Sequence, residues 1–176
     1  SFAGSDGREC IFDSGQALRG LMRASQYSEG FRQFALKAAE YVARHIEDDG
    51  RMPSPYGKEI PEYVHVYVLP PLMHAGKAFD KPDYCEKAKK ALSYYEQTPD
   101  VLDDSCLSHF LAYVIDGFVD MGESEFVRPA VKEIFLRQRR NGSIPACPNV
   151  GWTCSVGLAQ LAIVGYKLGM YREADK

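Results

Sequence analysis

The sequence predicts an all-α protein of stacked helical hairpins, about three and a half of them. Three observations predict it. Strand-type alternation is brief, as in YVHVYV, while apolar residues recur at helical spacing along most of the chain. Four apolar segments align and end at Ser25, Gly76, Gly122 and Gly169, about 46 to 51 residues apart. More charged helical segments alternate with them, and turn signals separate the two kinds.

The four apolar segments are the A helices. The first, DSGQALRGLMRAS over 13–25, carries the stripe Ala17, Leu18, Leu21 and Met22. The second, VHVYVLPPLMHAG over 64–76, places Val68, Leu69, Leu72 and Met73 in the same register, and Pro70 and Pro71 predict a kink or break. The third, FLAYVIDGFVDMG over 110–122, offers Val114, Ile115, Phe118 and Val119. The fourth, GLAQLAIVGYKLG over 157–169, offers Leu161, Ala162, Gly165 and Tyr166. Three of the four end in glycine, the favoured residue just past a helix C-terminus.

The charged B helices are FRQFALKAAEYVARHIE, PDYCEKAKKALSYYEQ and EFVRPAVKEIFLRQRR. The first and third lead into EDDGRMP and RRNGSIP, where Asp49-Gly50 and Asn141-Gly142 are left-handed turn pairs. The fourth unit stops after its A helix, at YREADK. A single helix pair cannot bury such a stripe, whereas stacked pairs can, as an open solenoid or a closed ring. In a ring the apolar A helices form the inner set and the charged B helices the outer. The whole chain, 1–176, reads as one domain of this kind.

Composition narrows the function. The chain is 45% hydrophobic and 26% charged with a formal net charge of −3, an ordinary balance without the basic surface of a nucleic-acid binder. No stretch approaches the ~18 apolar residues of a membrane span, and none reads as a signal peptide. Five cysteines without a CxxC pair read as reduced thiols in a cytoplasmic protein.

In a ring, the first turns of the A helices face one end of the cavity, so polar residues there are site candidates as well as caps. Nine residues before each end point stand Gln16, Tyr67, Tyr113 and Gln160, and four residues earlier, on the same face, Phe12, Tyr63, His109 and Val156. Asp13, Ser14, Asp104 and Ser105 are equally ordinary N-cap types, and Tyr67 and Tyr113 equally ordinary core residues with a satisfied hydroxyl. The stretch LDDSCLSHFLAY is the densest. Asp103 and Asp104 are adjacent and diverge, so one of them suits acid–base work while the other caps. His109 and Tyr113 share a helical face, and a histidine moves protons near neutral pH. Asp103, Cys106 and His109 are zinc-ligand types, but their spacing spreads them around a helix, and no metal or other cofactor is expected. In GWTCSVGLAQ, Trp152 suits stacking on a sugar ring or a structural wedge, and Cys154 sits near a helix N-terminus without a neighbouring histidine to activate it. The loop SPYGKEIPEYVHVY interleaves Tyr63, His65 and Tyr67 with acids, a mix suited to a polar small molecule or sugar.

FDSGQALRGL, the DG and NG turns after the outer helices, and WTCSVGLAQLAIVGYKLG resemble αα-toroid proteins over residues 10 to 170. The nearest group is the bacterial toroid proteins associated with polysaccharide biosynthesis, similar to six-hairpin glycosidases and to terpenoid-cyclase and prenyltransferase toroids. Cyclase-like enzymes carry a DxDD motif, but in VLDDSC Val101 stands where its first acid belongs. The Gln-Gly-Trp repeat signature survives only as FLRQRRNGSI, with Ile144 in place of the Trp, and the prenyltransferase zinc pattern is unmatched. The resemblance therefore implies a carbohydrate-linked protein of surface-polysaccharide metabolism, with a sugar or polysaccharide intermediate as its partner. If it is an enzyme, hydrolysis, elimination or epimerisation of a sugar is expected. Asp13 and Asp104 would be acid and base, assisted by His65, His109 and Tyr113, while Gln16, Tyr67, Asp103, Trp152, Cys154 and Gln160 bind the substrate. A non-catalytic binding or scaffold module and a terpenoid-cyclase-like enzyme are the alternatives. Toroids usually close with five to seven hairpins, so the unpaired last helix implies that the chain is a fragment of a larger toroid, that its ends pair with another copy as a homo-oligomer, or that the solenoid is open.

Overall fold

The computed structural model describes residues 10–53, 62–103 and 107–176, and these are helical, with no strand among them. The helices are α1 (Ile11–Ala24), α2 (Arg32–Arg44), α3 (Leu69–Ala78), α4 (Pro82–Glu96), α5 (Ser108–Met121), α6 (Ser124–Leu136), α7 (Ser155–Lys167) and the short α8 (Tyr171–Ala174). They fall into two compact units, one ending at Pro99 and one starting at Asp100. No helix among the described residues is long and apolar enough to cross a membrane.

The first unit pairs α1 with α2 and α3 with α4. Its core is built from the stripes that face inward: Leu18 and Met22 of α1, Ala35, Ala39 and Val42 of α2, Leu69 and Leu72 of α3, and Ala88, Ala91 and Tyr95 of α4. The predicted break at Pro70 and Pro71 is real. Glu62–Val68 winds as a tighter 3₁₀ turn, and the α-helix starts only at Leu69, where a proline in the first turn forfeits no hydrogen bond. In the second unit α5 packs on α6 and α7, burying Leu111, Val114, Ile115 and Phe118 against Val131, Ile134, Leu161 and Val164.

Two loops repeat in detail. After α2 the Glu47 N–H bonds the Arg51 carbonyl at 2.9 Å and the Gly50 N–H returns to the Glu47 carbonyl at 2.9 Å. After α6 the Arg139 N–H bonds the Ser143 carbonyl at 2.9 Å and the Gly142 N–H returns to the Arg139 carbonyl at 2.9 Å. Gly50 and Gly142 hold φ of 101° and 83°, which bears out the turn pairs read from Asp49-Gly50 and Asn141-Gly142.

The hairpin turns repeat as well, and they correct the register. Three A helices end on a left-handed residue, Asp80 (φ 53°), Gly122 (φ 102°) and Gly169 (φ 73°). In each case the next N–H reaches back five residues: Lys81 to Gly76, Glu123 to Phe118 and Met170 to Gly165, at 2.8, 2.9 and 2.8 Å. This is the Schellman closure, with the left-handed residue at C′. The second A helix therefore ends at Asp80 and not at Gly76. An aspartate tolerates the left-handed conformation and hides the signal a glycine would give. Gly76 does a different job. A Cβ placed there would lie 2.6 Å from Cys85 Sγ and 3.0 Å from the Lys81 carbonyl, so its small size lets α4 come in close.

Counted from the corrected end points, Leu72, Val114 and Leu161 are equivalent and all buried. Tyr67 becomes the counterpart of His109 and Val156, and Pro71, not Tyr67, that of Tyr113 and Gln160.

Candidate functional site

The polar residues that crowd the start of α1 do not cap it. The helix begins earlier, at Ile11, with Cys10 as its N-cap and the Asp13 N–H on the Cys10 sulfur at 3.5 Å. Successive residues turn ~100° apart, so Asp13 faces solvent, Ser14 the core, and Gln16 is half-buried on the side of Asp13 away from Ser14.

The half-buried face of α1 runs Phe12, Gln16, Arg19, at spacings of four and three. It meets Tyr67 from the 3₁₀ turn. The Phe12 and Tyr67 rings stack with centroids 6.0 Å apart and planes 28° off parallel. The Arg19 guanidinium lies 4.3 Å from the Tyr67 ring centre, and its Nη2 donates to the Tyr67 carbonyl at 3.1 Å. A cation over an aromatic face is attracted by the ring quadrupole. The result is a half-buried cluster in which Tyr67, a sequence-predicted residue, is packed by Phe12 and covered by Arg19, while Gln16, also sequence-predicted, lies on the same face of α1.

His65, on the same turn, looks the other way. Its side chain is buried, with Nδ1 donating to the Met52 carbonyl at 2.9 Å. Tyr95 Oη accepts the Met52 N–H at 3.0 Å and approaches the same carbonyl at 3.4 Å. Burial lowers the His65 pKa to about 4, against a smaller upward pull from the Met52 bond and Glu62. Near neutrality the ring is uncharged and pins the loop after α2. Outside this knot Arg51 grips Glu62 in a bidentate pair at 2.8 to 3.1 Å.

In the second unit the sequence-predicted residues separate into three places. His109 is the second residue of α5, half-buried, edge-on to Tyr113 with centroids 4.6 Å apart. Its Nδ1 is shielded from solvent without a hydrogen-bond partner among the described residues, and burial lowers its pKa. The backbone there is hemmed in by α7, since a Cβ at Gly157 would sit 2.8 Å from both His109 N and Ser108 Oγ. Gln160 belongs to a different cluster, donating from Nε2 to Asp116 Oδ2 at 2.8 Å. Lys167 Nζ bridges Asp116 Oδ1 and Asp120 Oδ1, both at 2.6 Å. Burial pulls the Lys167 ammonium down, but its bonds and attraction to the two carboxylates outweigh this and hold its pKa above the usual value. Trp152 is exposed in the loop before α7, and Cys154 is the half-buried N-cap of that helix, with no capping bond from its thiol.

One expectation for the acidic stretch is corrected. α5 starts at Ser108, whose N–H is taken by the Ala146 carbonyl at 2.7 Å, and Asp103 is exposed and lies outside that helix. Asp104, the proposed partner acid of Asp13, lies with Ser105 and Cys106 outside the described residues. Among the described residues no cluster of acids, histidines and cysteines could hold a metal ion.

The buried Asp116 is not among the residues the sequence nominated. A signal was available: Asp116 and Asp120 stand four apart on α5, and Gln160 and Lys167 seven apart on α7, each pair on one face. Two grooves among the described residues are lined by none of the predicted residues. One of about 420 Å³ opens along α4 beside Asp49, Lys90, Tyr94 and Gln97, and another of about 10 Å³ beside Ile134 and Ala146 has room for little more than a water. Compared with protein families, curated proteins and solved structures, the chain matches none.

Proposed function

We propose that this chain is a carbohydrate-binding hairpin-repeat protein of the αα-toroid type, working in bacterial surface-polysaccharide metabolism. The observation that carries the binding reading is the half-buried surface of Phe12, Gln16, Arg19 and Tyr67. A sugar ring has an apolar C–H face and a rim of hydroxyls. The exposed parts of the Phe12 and Tyr67 rings would take the first, and the Arg19 guanidinium and Gln16 carboxamide the second, because both offer planar sets of donors. The toroid type and the polysaccharide setting are supported by the resemblance of the inner-helix and turn motifs. Cys10, Cys85, Cys147 and Cys154 as free thiols suit a reducing compartment such as the cytoplasm.

A second reading adds acid–base chemistry on the bound sugar. It is favoured by His109, whose Nδ1 has no hydrogen-bond partner among the described residues and whose partial burial favours the neutral ring that a general base needs.

The test is thermal stability against neutral oligosaccharides, nucleotide sugars and isoprenoid diphosphates. A ligand at 100 times its Kd adds about 2.7 kcal/mol and raises the melting temperature by roughly 5–10 °C. A shift with one sugar class, lost in Tyr67→Ala and Gln16→Ala, is expected. A shift with isoprenoid diphosphates alone supports the cyclase-like alternative, and no shift with any sugar refutes the binding reading.

A further inference from the structure

α7 is apolar on two faces. One, carrying Gly157, Leu161, Val164 and Leu168, is buried. The other stands open: Val156 is 53% exposed, Ile163 47% and Tyr166 50%, with Ala159 exposed between them. Trp152, just before the helix, is 56% exposed, and Tyr171, just after it, 59%. Five of the large apolar side chains left in solvent thus gather along one short stretch. α5, by contrast, leaves none exposed. Isolated exposed apolar residues are normal, but a continuous apolar patch marks a contact surface.

The open stripe has the spacing of a helix-pairing seam. Positions 156, 159, 163 and 166 step by three, four and three, and no charge falls on them. The steps read the same in both directions. When two such helices are laid antiparallel, Ala159 of one comes opposite Ile163 of the other, and Val156 opposite Tyr166. Smaller then meets larger at each position, as close packing requires. The same alignment brings Trp152 toward the other copy's Tyr171. Tyr166 is also held in place beforehand: its hydroxyl donates to Asp175, and its ring lies 5.9 Å from that of Tyr171. An aromatic already fixed in place loses little entropy on docking.

We propose that this face is an interface between two copies of the chain, joined by α7 packing antiparallel on α7 across a two-fold axis. A two-fold contact needs a self-complementary patch, and the three-four-three stripe is one. The area fits a weak pairing. With aromatics at ~150–250 Å² each and the aliphatics somewhat less, the exposed parts of the five side chains come to roughly 400–550 Å² per copy. A pair that covers all of it buries about 800–1,100 Å², below the ~1,200–2,000 Å² of stable interfaces and within the range of transient ones, so a weak dimer is expected. The absence of charge along the stripe means that like pairs with like without repulsion.

Sedimentation velocity of the full chain over a concentration series tests this. The wild type is expected to pass from monomer to dimer as the concentration rises. Ile163→Glu and Ala159→Lys, both at exposed positions, should each be monomeric with unchanged circular dichroism. Because the two positions face one another only in the antiparallel pair, mixing the two variants in equal amounts should restore a dimer. A wild type monomeric at every concentration overturns the proposal. So does a dimer that survives Ile163→Glu, or a mixture of variants that stays monomeric, which would indicate a head-to-tail contact or a different partner for this face.

Discussion

Acid should unfold this protein through His65, and the size of the effect follows from its burial. The ring is 1% exposed and its pKa is about 4, against about 6.5 in an unfolded chain. Between those values the unfolded chain holds a proton that the folded chain does not. The stability contributed by the neutral ring is therefore complete above pH 6.5 and drains away as the pH falls toward 4. Integrating the difference gives a loss of about 2 kcal/mol between pH 7 and pH 5, and about 3 kcal/mol by pH 4. Carboxylates titrate in the same range, so the measurement must be differential. His65→Asn keeps a side-chain N–H near the place of Nδ1, and hence the bond to the Met52 carbonyl, without the titration. Urea unfolding followed by circular dichroism at pH 7 and pH 5 would compare the two proteins. The variant is expected to start less stable, because it loses ring volume from the core, and to close the gap by about 2 kcal/mol at pH 5. If both proteins lose the same amount, His65 is not held neutral by burial, and the account of the Met52 knot is wrong.

Other substitutions probe other parts of the fold. Tyr95→Phe leaves the buried Met52 N–H without its acceptor at 3.0 Å and should cost about 1–3 kcal/mol in denaturant unfolding. Gly15→Ala would place a Cβ 2.2 Å from Val68 Cγ1 and should destabilise by about 1–3 kcal/mol. Gly20→Ala, on the same helix, meets nothing within 4 Å and should raise the melting temperature, worth about 0.5–1 kcal/mol. Lys167→Met strands the buried Asp116 carboxylate and should cost about 3 kcal/mol, most of it recovered when Asp116→Leu is added. Because the Lys167 pKa is raised, its contribution is complete below the unfolded value near 10.4 and is lost as pH climbs through the higher folded value, which a melting series above pH 10 would show.

The helices were legible because their signals are local. The B helix read as PDYCEKAKKALSYYEQ runs Pro82–Glu96, and the Pro70-Pro71 break falls where a missing N–H demands it. The register of the second hairpin was not legible. Two residues exchanged their usual work, Asp80 taking the left-handed turn and Gly76 the close approach to Cys85. Reading the glycine as the cap slipped the alignment by four residues and placed Tyr67 beside Tyr113 and Gln160 as one recurring position. The start of α5 was missed for a related reason. Ser108 is capped by the distant Ala146 carbonyl, so the local Asp103-Asp104 signal pointed to a start that tertiary structure overrides. For the site, sequence could nominate Gln16 and Tyr67. Helical spacing places His65 and Tyr67, two residues apart, on different sides, but it could not show which of the two faces the core.

The polar side chains of α7 explain why its outer face is bare. Between Ser155 and Lys167 the helix has one charged residue, Lys167, and one carboxamide, Gln160. Both turn to the same carboxylate on α5, Asp116, whose two oxygens they divide between them at 2.6 and 2.8 Å. A buried carboxylate with one partner would be costly, and two donors from one helix satisfy it while fixing that helix in rotation about its own axis. An apolar contact alone would let α7 roll, because its buried and open faces are similarly greasy. The Asp116 clamp selects one of the two. It buries Leu161 and Val164 and turns Val156, Ile163 and Tyr166 outward. The polar network in the α5–α7 contact and the apolar stripe offered to a second copy are thus two consequences of one arrangement. Breaking the clamp with both partners replaced should loosen the outer face even where the fold survives.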